Sequence, residues 1–275
     1  MSPKIPLSGI IGYPVGHSKS PRMHRHWLAR CNVPGDYVLL EIAEADFEDV
    51  VRMLPKAGFV GANVTIPHKL SALRIADEVT QSAQSIGAAN TLTFRDGAIH
   101  ADNTDAPGFM ASLMQGAPKW DPKAGPAAVI GAGGAARAVL YALREAGVPE
   151  IRLSNRTRSK AEDLRAAFGN TITVVDWSEV GPMMDRANLV VNTSSLGMDG
   201  APPFEIALDD LPPSATVTDL VYVPLETPLL AGARARGCTV VDGLGMLLHQ
   251  GVPGFERWFG VRPEVDDELR KVMLA

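Results

Sequence analysis

The chain has 275 residues and is poor in cysteine, in aromatic side chains and in long apolar stretches, with no excess of positive charge. Each shortage excludes something. Its two cysteines, Cys31 and Cys238, lie far apart and form no CxxC pair, so neither a zinc ribbon nor a disulfide framework is expected. Two reduced core thiols are expected instead. Aromatics make up only 6% against 26 glycines and 21 prolines. That balance fits an α/β protein with many tight connections better than an aromatic-rich β-sandwich. The longest stretch free of Asp, Glu, Lys and Arg is Val79–Phe94, 16 residues with polar groups scattered through it. A membrane span needs about 20 mostly apolar residues, so no membrane partner is expected. The first residues carry a lysine, prolines and a glycine rather than the apolar core of a signal peptide, which points to the cytoplasm. Lys plus Arg number 26 and Asp plus Glu 31, a net charge of −5. This balance excludes a broad nucleic-acid surface but allows a local basic pocket.

What is present is enough for a core. Hydrophobic residues reach 46% and charged residues 21%, which is ordinary for a globular protein. At about 100–200 residues per domain, the length fits one large domain or two modest ones. Apolar runs at Leu7–Ile11, Tyr37–Ile42 and Phe59–Ile66 read as strands. Met23–Arg30 and Ala45–Pro55 read as helices, the second with Phe47, Val50, Val51 and Leu54 on one face. Asp96-Gly97, between Thr91–Arg95 and Ala98–Ala101, reads as a hairpin turn. The first hundred residues therefore form an α/β unit with a late hairpin. The Gly- and Pro-containing segment Gly116–Gly125 reads as a boundary loop. Beyond it, Ala127–Ile130, Ile151–Ser154, Leu189–Asn192, Val217–Leu220 and Thr239–Val241 read as short buried strands separated by helices, the pattern of a doubly wound parallel sheet. Gly251–Phe259, with Phe255, Trp258 and Phe259, reads as a C-terminal helix despite Pro253.

Strand Ala127–Ile130 runs into Gly131-Ala132-Gly133-Gly134-Ala135-Ala136, a G-x-G-x-x-A fingerprint. Gly131 permits the tight turn, Gly133 lets backbone amides approach a pyrophosphate, and Ala136 lets the following helix close on the strand. An NAD site commonly has an acid about 20 residues on, near the adenosine ribose. This chain has Asn155-Arg156-Thr157-Arg158-Ser159-Lys160. Cations and a hydroxyl suit a 2′-phosphate, and an acid would repel it, so Arg156, Thr157 and Lys160 point to NADP.

Ser18-Lys19-Ser20-Pro21 precedes a helix, with Ser20 expected as its cap and Pro21 at its first position. Two hydroxyls at a helix N-terminus equally suit a carboxylate. Asn63 and Thr65 sit two apart on one strand face, with Lys69 just after Pro67, at a strand end where open α/β sheets bind ligands. The same spacing describes a polar edge with an exposed lysine. Asn90 and Asp102-Asn103-Thr104-Asp105 add short polar groups of the kind that also form turns. Lys69 beside a carboxylate such as Asp105 would make an acid/base pair. The six histidines show no metal-binding spacing, and His24 and His26 read as structural or surface residues.

Together these strings resemble the shikimate/quinate dehydrogenase family. The carrying residues are Gly12-Tyr13-Pro14 through His17-Ser18-Lys19-Ser20-Pro21 and His24, Asn63 to Lys69, Gly87 to Thr91, Asn103-Thr104-Asp105, Gly131 to Ala136, Asn155-Arg156-Thr157, Asn192-Thr193 through Gly197-Met198, Asp219 with Tyr222-Val223-Pro224 and Thr227 to Leu230, and Gly243-Leu244-Gly245-Met246 through Gln250. The resemblance implies two domains separated by a cleft: an α/β substrate domain with a mostly parallel sheet, residues 1–105 plus 243–275, and a Rossmann NADP domain, residues 106–242. It implies reversible NADPH-dependent reduction of 3-dehydroshikimate to shikimate, on the route through chorismate to aromatic amino acids. It assigns catalysis to Lys69 and Asp105, and substrate binding to Ser18, Ser20, Asn63, Thr65, Asn90, Tyr222 and Gln250. The cofactor falls to Gly131, Ala132, Gly133, Gly134, Ala135, Asn155, Arg156, Thr157, Lys160, Leu220, Gly243 and Met246. A cytoplasmic monomer or homodimer is expected. Two departures from the family's pattern stand out, Arg25 and Ala106. The rival readings are an NAD-dependent quinate/shikimate dehydrogenase and a cofactor-binding sensor without turnover.

Overall fold

Short apolar runs closed by glycine or proline become strands, and the periodic stretches between them become helices. The computed structural model describes residues 5–275. Contacts divide the chain into two compact units, one running to Asp105 and resuming at Leu247–Ala275, the other Ala106–Met246.

The first unit contains β1 (Leu7–Gly12), α1 (Ser20–Arg30), β2 (Asp36–Glu41), α2 (Phe47–Met53), β3 (Gly61–Val64), α3 (Lys69–Ile75), β4 (Glu78–Val79), α4 (Gln81–Ile86), β5 (Thr91–Arg95) and β6 (Ala98–Asp102). Its six-stranded sheet has the order β2-β1-β3-β5-β6-β4. The sheet is mixed: β1–β2, β1–β3 and β4–β6 are parallel, while β3–β5 and β5–β6 are antiparallel. The hairpin turns at Asp96 (φ 54°) and Gly97 (φ 79°), the two left-handed residues that a two-residue turn of matching twist requires. Strand β3 is shorter than the run Phe59–Ile66 predicts. At its start, Phe59 N–H is drawn to the Leu54 carbonyl. At its end, the Ile66 carbonyl takes the Tyr13 N–H, and at its start only an isolated parallel bridge, Phe59 to Leu7, remains outside the ladder. One sheet face packs on Phe47, Val51, Leu54, Ala72 and Ile75.

The second unit begins with α5 (Asp105–Gly116) and continues through β7 (Ala127–Ile130), α6 (Gly134–Glu145), β8 (Ile151–Ser154), α7 (Arg158–Phe168), β9 (Ile172–Val175), β10 (Leu189–Asn192), β11 (Thr216–Asp219), α8 (Pro228–Ala235) and β12 (Thr239–Val241). The six strands run β12-β11-β10-β7-β8-β9, every pairing parallel. This is the doubly wound order, with the switch point between β7 and β10. Strand β9 was not expected from the sequence; Thr171-Ile172-Thr173-Val174-Val175 is β-branched throughout, which is its signal. The segment Gly116–Gly125 is not the boundary. Helix α5 buries Phe109 and Leu113, and a Cβ on Gly116 would come within 2.8 Å of Val241 on β12. That packing ties α5 to the second unit and leaves Gly116–Gly125 as a loop inside it.

Two helices complete the chain, α9 (Leu244–Phe259) and α10 (Asp267–Leu274). Helix α9 starts well before Gly251 and runs through Pro253. The buried stripe Leu244, Leu248, Val252, Phe255 and Phe259 follows the helical period along its whole length, and its burial outweighs the missing N–H of one proline. Its aromatic end meets those of α1 and β2: Trp27 and Phe255 pack edge to face, and His24 stacks on Tyr37 at 3.9 Å. Cys238 is buried and Cys31 only partly so; both are free. Among the described residues, no helix is long and apolar enough to cross a membrane, and no cluster could hold a metal ion.

Candidate active site

In the first unit the sequence-derived residues converge on one hydrogen-bonded array. Lys69 opens α3, and its Nζ donates to Asp105 Oδ2 at 2.5 Å, the two side chains 20% and 10% exposed. Asp105 opens α5, where a carboxylate is favoured by the helix dipole. Its second oxygen accepts from Asn90 Nδ2 at 2.8 Å, so both carboxylate oxygens are held. The Asn90 carbonyl oxygen accepts from Thr104 N at 2.7 Å and from Thr91 Oγ1 at 3.1 Å. Its amide also donates to Gln250 Oε1 at 3.3 Å, which brings α9 into the array. Asn63, on β3, donates to Thr91 Oγ1 at 3.2 Å and accepts from the Tyr37 hydroxyl at 2.8 Å. All of Asn63, Asn90, Thr91, Thr104 and Asp105 are buried.

Ser18 and Ser20 join by their hydroxyls at 3.2 Å, and Ser20 N donates to Ser18 Oγ at 3.3 Å. Ser20 is not the cap of α1. The cap position falls on Lys19, whose carbonyl already accepts from Met23 N, and Ser20 is the first helical residue. Thr65 lies just past the end of β3. Its methyl packs toward Gly12, and among the described residues no hydrogen bond holds its hydroxyl. Arg25 pairs with Asp36 at 2.7 Å, and that hydrogen bond holds the Asp36 carboxyl below its usual range. This ties α1 to the start of β2 and accounts for one of the two departures. Ala106 is buried, where a small residue fits. Tyr37 is a member of the array that the sequence did not single out, and Thr91 and Thr104 join it although the sequence reading gave them no site role. His68 is buried, its Nε2 at 2.7 Å from the Ile42 carbonyl oxygen, and plays no part in it.

In the second unit the arrangement is different. Gly131, at φ 107°, makes the turn out of β7, and a Cβ there would lie 2.9 Å from Ser194 N. Gly133 and Gly134 are exposed, and a Cβ on either would meet nothing within 4 Å. Gly133 caps α6 without a side-chain hydrogen bond, so the first amides of that helix face open space. Ala136 is buried beneath them, and Ala132 and Ala135 are partly buried. Asn155, at the end of β8, accepts from Ala132 N at 3.1 Å and donates to the Thr157 carbonyl at 2.8 Å. Arg156, Thr157 and Lys160 are exposed. Arg158 is already paired with Asp176 and Glu162, whereas Arg156 and Lys160 make no ion pair among the described residues. Gly243 approaches the backbone of Leu220 and Val221 so closely that a Cβ would sit 2.6 Å from the Leu220 carbonyl. Met246 is partly buried three residues on, and Tyr222, in the same unit, is partly buried, which raises its phenol pKa.

Asp219, at the end of β11, is buried and its carboxyl is pushed up to about 6 by that burial, against hydrogen bonds from Thr227, Val221 N and Asn192. It joins β10, β11 and α8 rather than facing open space. The residues around the β7–α6 turn fit a dinucleotide phosphate: a helix start with no side-chain cap, two exposed glycines with no side chain over them, and two cations, unpaired among the described residues, one strand away.

Comparison with known proteins follows the same lines. Residues 10–92 match the shikimate dehydrogenase substrate binding domain, residues 119–197 the shikimate / quinate 5-dehydrogenase domain, and residues 243–273 the shikimate 5'-dehydrogenase C-terminal domain. The chain is 61% identical over 271 residues to shikimate dehydrogenase (NADP(+)) of Paracoccus denitrificans, covering 98% of this chain and 96% of that one. Among solved structures it resembles shikimate 5-dehydrogenase of Thermus thermophilus in complex with NADP(H) and shikimate, at TM-score 0.87 and 35% identity over 98% of each chain. It also resembles quinate dehydrogenase of Corynebacterium glutamicum in complex with NAD, at TM-score 0.91 and 31% identity over 98% of each chain. The chain belongs to the shikimate dehydrogenase family.

Proposed function

We propose that the protein catalyses the reversible NADPH-dependent reduction of 3-dehydroshikimate to shikimate, a step of aromatic amino acid biosynthesis through chorismate. The observation that carries this reading is the array ending in the Lys69–Asp105 pair. It gathers neutral hydrogen-bonding groups suited to a ring of hydroxyls beside one fixed cation. The bound nicotinamide supplies the hydride in one direction and accepts it in the other. In the reductive direction, Lys69 Nζ supplies a proton to the substrate's carbonyl oxygen as the carbonyl carbon gains hydride, and in reverse it takes that proton from the hydroxyl. Asp105 keeps Lys69 aimed, while Asn90 holds Asp105 from the other side.

Ser18 and Ser20 bind the substrate carboxylate at the start of α1. Asn63, Thr65, Asn90, Gln250 and Tyr222 hold the ring hydroxyls and the carboxylate. A substrate lacking a hydroxyl would leave buried partners unpaired, which is the strongest source of discrimination available to such a site. The backbone from Gly131 to Ala135 holds the cofactor's pyrophosphate, and Asn155 fixes that turn. Leu220, Gly243 and Met246 line the remainder of its path. Arg156, Thr157 and Lys160 hold the 2′-phosphate, which selects NADP over NAD. The two free cysteines fit a cytoplasmic enzyme acting on a small molecule, as a monomer or a homodimer.

The same fold carries an NAD-bound quinate dehydrogenase, so the test is a matrix of shikimate or quinate with NADP or NAD, followed by nicotinamide absorbance. Turnover of shikimate with NADP well above the other three combinations is expected. Turnover confined to quinate with NAD would overturn the reading, and no turnover in any combination would favour a sensor.

A further inference from the structure

Tyr37 lies on β2, in neither the serine pair nor the Lys69–Asp105 pair, yet it is the point where the two halves of the array meet. Its side chain is fully buried. Its hydroxyl donates to Asn63 Oδ1 at 2.8 Å, and the Ser20 side chain reaches the same hydroxyl from α1. From Ser20 the chain of bonds continues outward to Ser18. From Asn63 it runs through Thr91 Oγ1, Asn90 and Asp105 to Lys69. Among the described residues Ser20 and Asn63 make no hydrogen bond to each other; the phenol oxygen lies between them.

The ring itself is fixed. His24 stacks flat against it at 3.9 Å and an interplanar angle of 7°, with Trp258 on a tilted approach at 6.3 Å. Burial pushes the phenol's ionisation well above its ordinary range, so the hydroxyl remains a donor. Its single proton goes to Asn63 Oδ1. That bond settles which end of the Asn63 amide is carbonyl and which is NH2, and so directs Nδ2 toward Thr91.

We propose that Tyr37 is a positioning residue for the substrate, its buried hydroxyl locking the carboxylate-binding serines on α1 to the hydroxyl-binding asparagine on β3. The proposal rests on the functional reading above. It assigns Tyr37 no contact with the reacting atoms. Its effect is that substrate bound at one end meets partners already set at the other.

The test is Tyr37→Phe, which keeps the ring, its stacking on His24 and nearly all its volume. Wild-type turnover of shikimate with NADP is measured first. In the variant the KM for shikimate is expected to rise about ten-fold, as loss of one buried hydrogen bond implies. The KM for NADP should stay within about two-fold, a margin set by the usual scatter of such comparisons. A second measurement separates positioning from mere packing. Ser20→Ala and Asn63→Ala, alone and together, should be non-additive in their effect on the KM for shikimate when residue 37 is Tyr, and additive in the Tyr37→Phe background. An unchanged KM for shikimate in Tyr37→Phe, equal rises for both ligands, or the same coupling in both backgrounds would overturn the proposal alone. An inactive wild type would overturn the functional reading and the proposal with it.

Discussion

On the proposed reading, the two units hold an anionic ligand by opposite means, in a chain of net charge −5. In the first unit the candidate groups are buried or partly buried side chains bonded to one another, from Ser18 through Asn63 and Asn90 to Lys69. In the second they are bare backbone at Gly133 and Gly134 and exposed side chains such as Arg156 and Lys160. A prearranged array of buried groups discriminates, because a missing partner leaves a buried polar atom unpaired. An open turn with surface cations binds phosphate with less demand on shape. The contrast extends to each unit's buried titratable group. His24, in the first, has no hydrogen-bond partner at either ring nitrogen among the described residues, and burial lowers its pKa to about 3. Asp219, in the second, is raised to about 6 by the same cause acting on the opposite charge.

The largest expected effect tests which unit carries the chemistry. Lys69→Ala should lower kcat by about 10²- to 10⁴-fold, the usual worth of a positioned proton donor, with NADP affinity measured by titration left unchanged. Near-normal turnover would break the division. Next comes pH. The folded pKa of His24 lies below its unfolded value, so its contribution to stability is complete above about pH 6.5 and is lost as pH falls toward 3. That loss is on the order of 5 kcal/mol. Tyr37 is the titratable group packed against it, and it stays neutral over that range. Asp219 runs the other way: its folded pKa is raised, so its contribution is complete below about pH 3.8 and is lost as pH rises through 6. The size there is on the order of 3 kcal/mol. Urea denaturation of His24→Phe and Asp219→Asn against the parent, from acid to neutral pH, should therefore change the pH slope with opposite signs. Slopes of the same sign would erase this part of the contrast. The smallest effect concerns the cofactor. Arg156→Ala should raise the KM for NADP about 10- to 100-fold, as loss of a charge-assisted hydrogen bond implies, and leave the KM for NAD nearly unchanged. Equal rises would remove Arg156 from the 2′-phosphate.

The contrast also explains what could be read in the sequence. In the second unit β7 is a continuous apolar run buried on both faces and the glycine turn is contiguous, so β7, the turn and α6 stand out together. Strand β9 escaped because Thr171 and Thr173 dilute its hydrophobicity. The boundary loop was misjudged because composition marks flexible turns, whereas the packing of Gly116 on Val241 decides where α5 belongs. In the first unit, Lys69, Asn90 and Asp105 were legible as short polar groups at strand ends. Tyr37 was not, and Thr91 and Thr104 were quoted without a site role, since each looks like an ordinary strand or turn residue. Their partners lie elsewhere in the chain: Tyr37 meets Asn63 from a neighbouring element. Hydrogen-bond networks formed by tertiary contact leave no periodicity to read.

Helix α9 begins at Leu244 in the second unit and ends at Phe259 in the first, whose contiguous part stops at Asp105. During synthesis this has a temporal consequence. The ribosome makes the whole of the second unit before it makes the residues that finish the first. The aromatic packing of Phe255 and Trp258 on α1 and β2, and the bond from Asn90 to Gln250, must wait until α9 is translated, after the whole second unit. Domains generally fold as their chain emerges, N-terminal parts first. Here the interrupted unit reverses that order: the nucleotide-binding part can be complete on the ribosome while the N-terminal part still awaits its final helix.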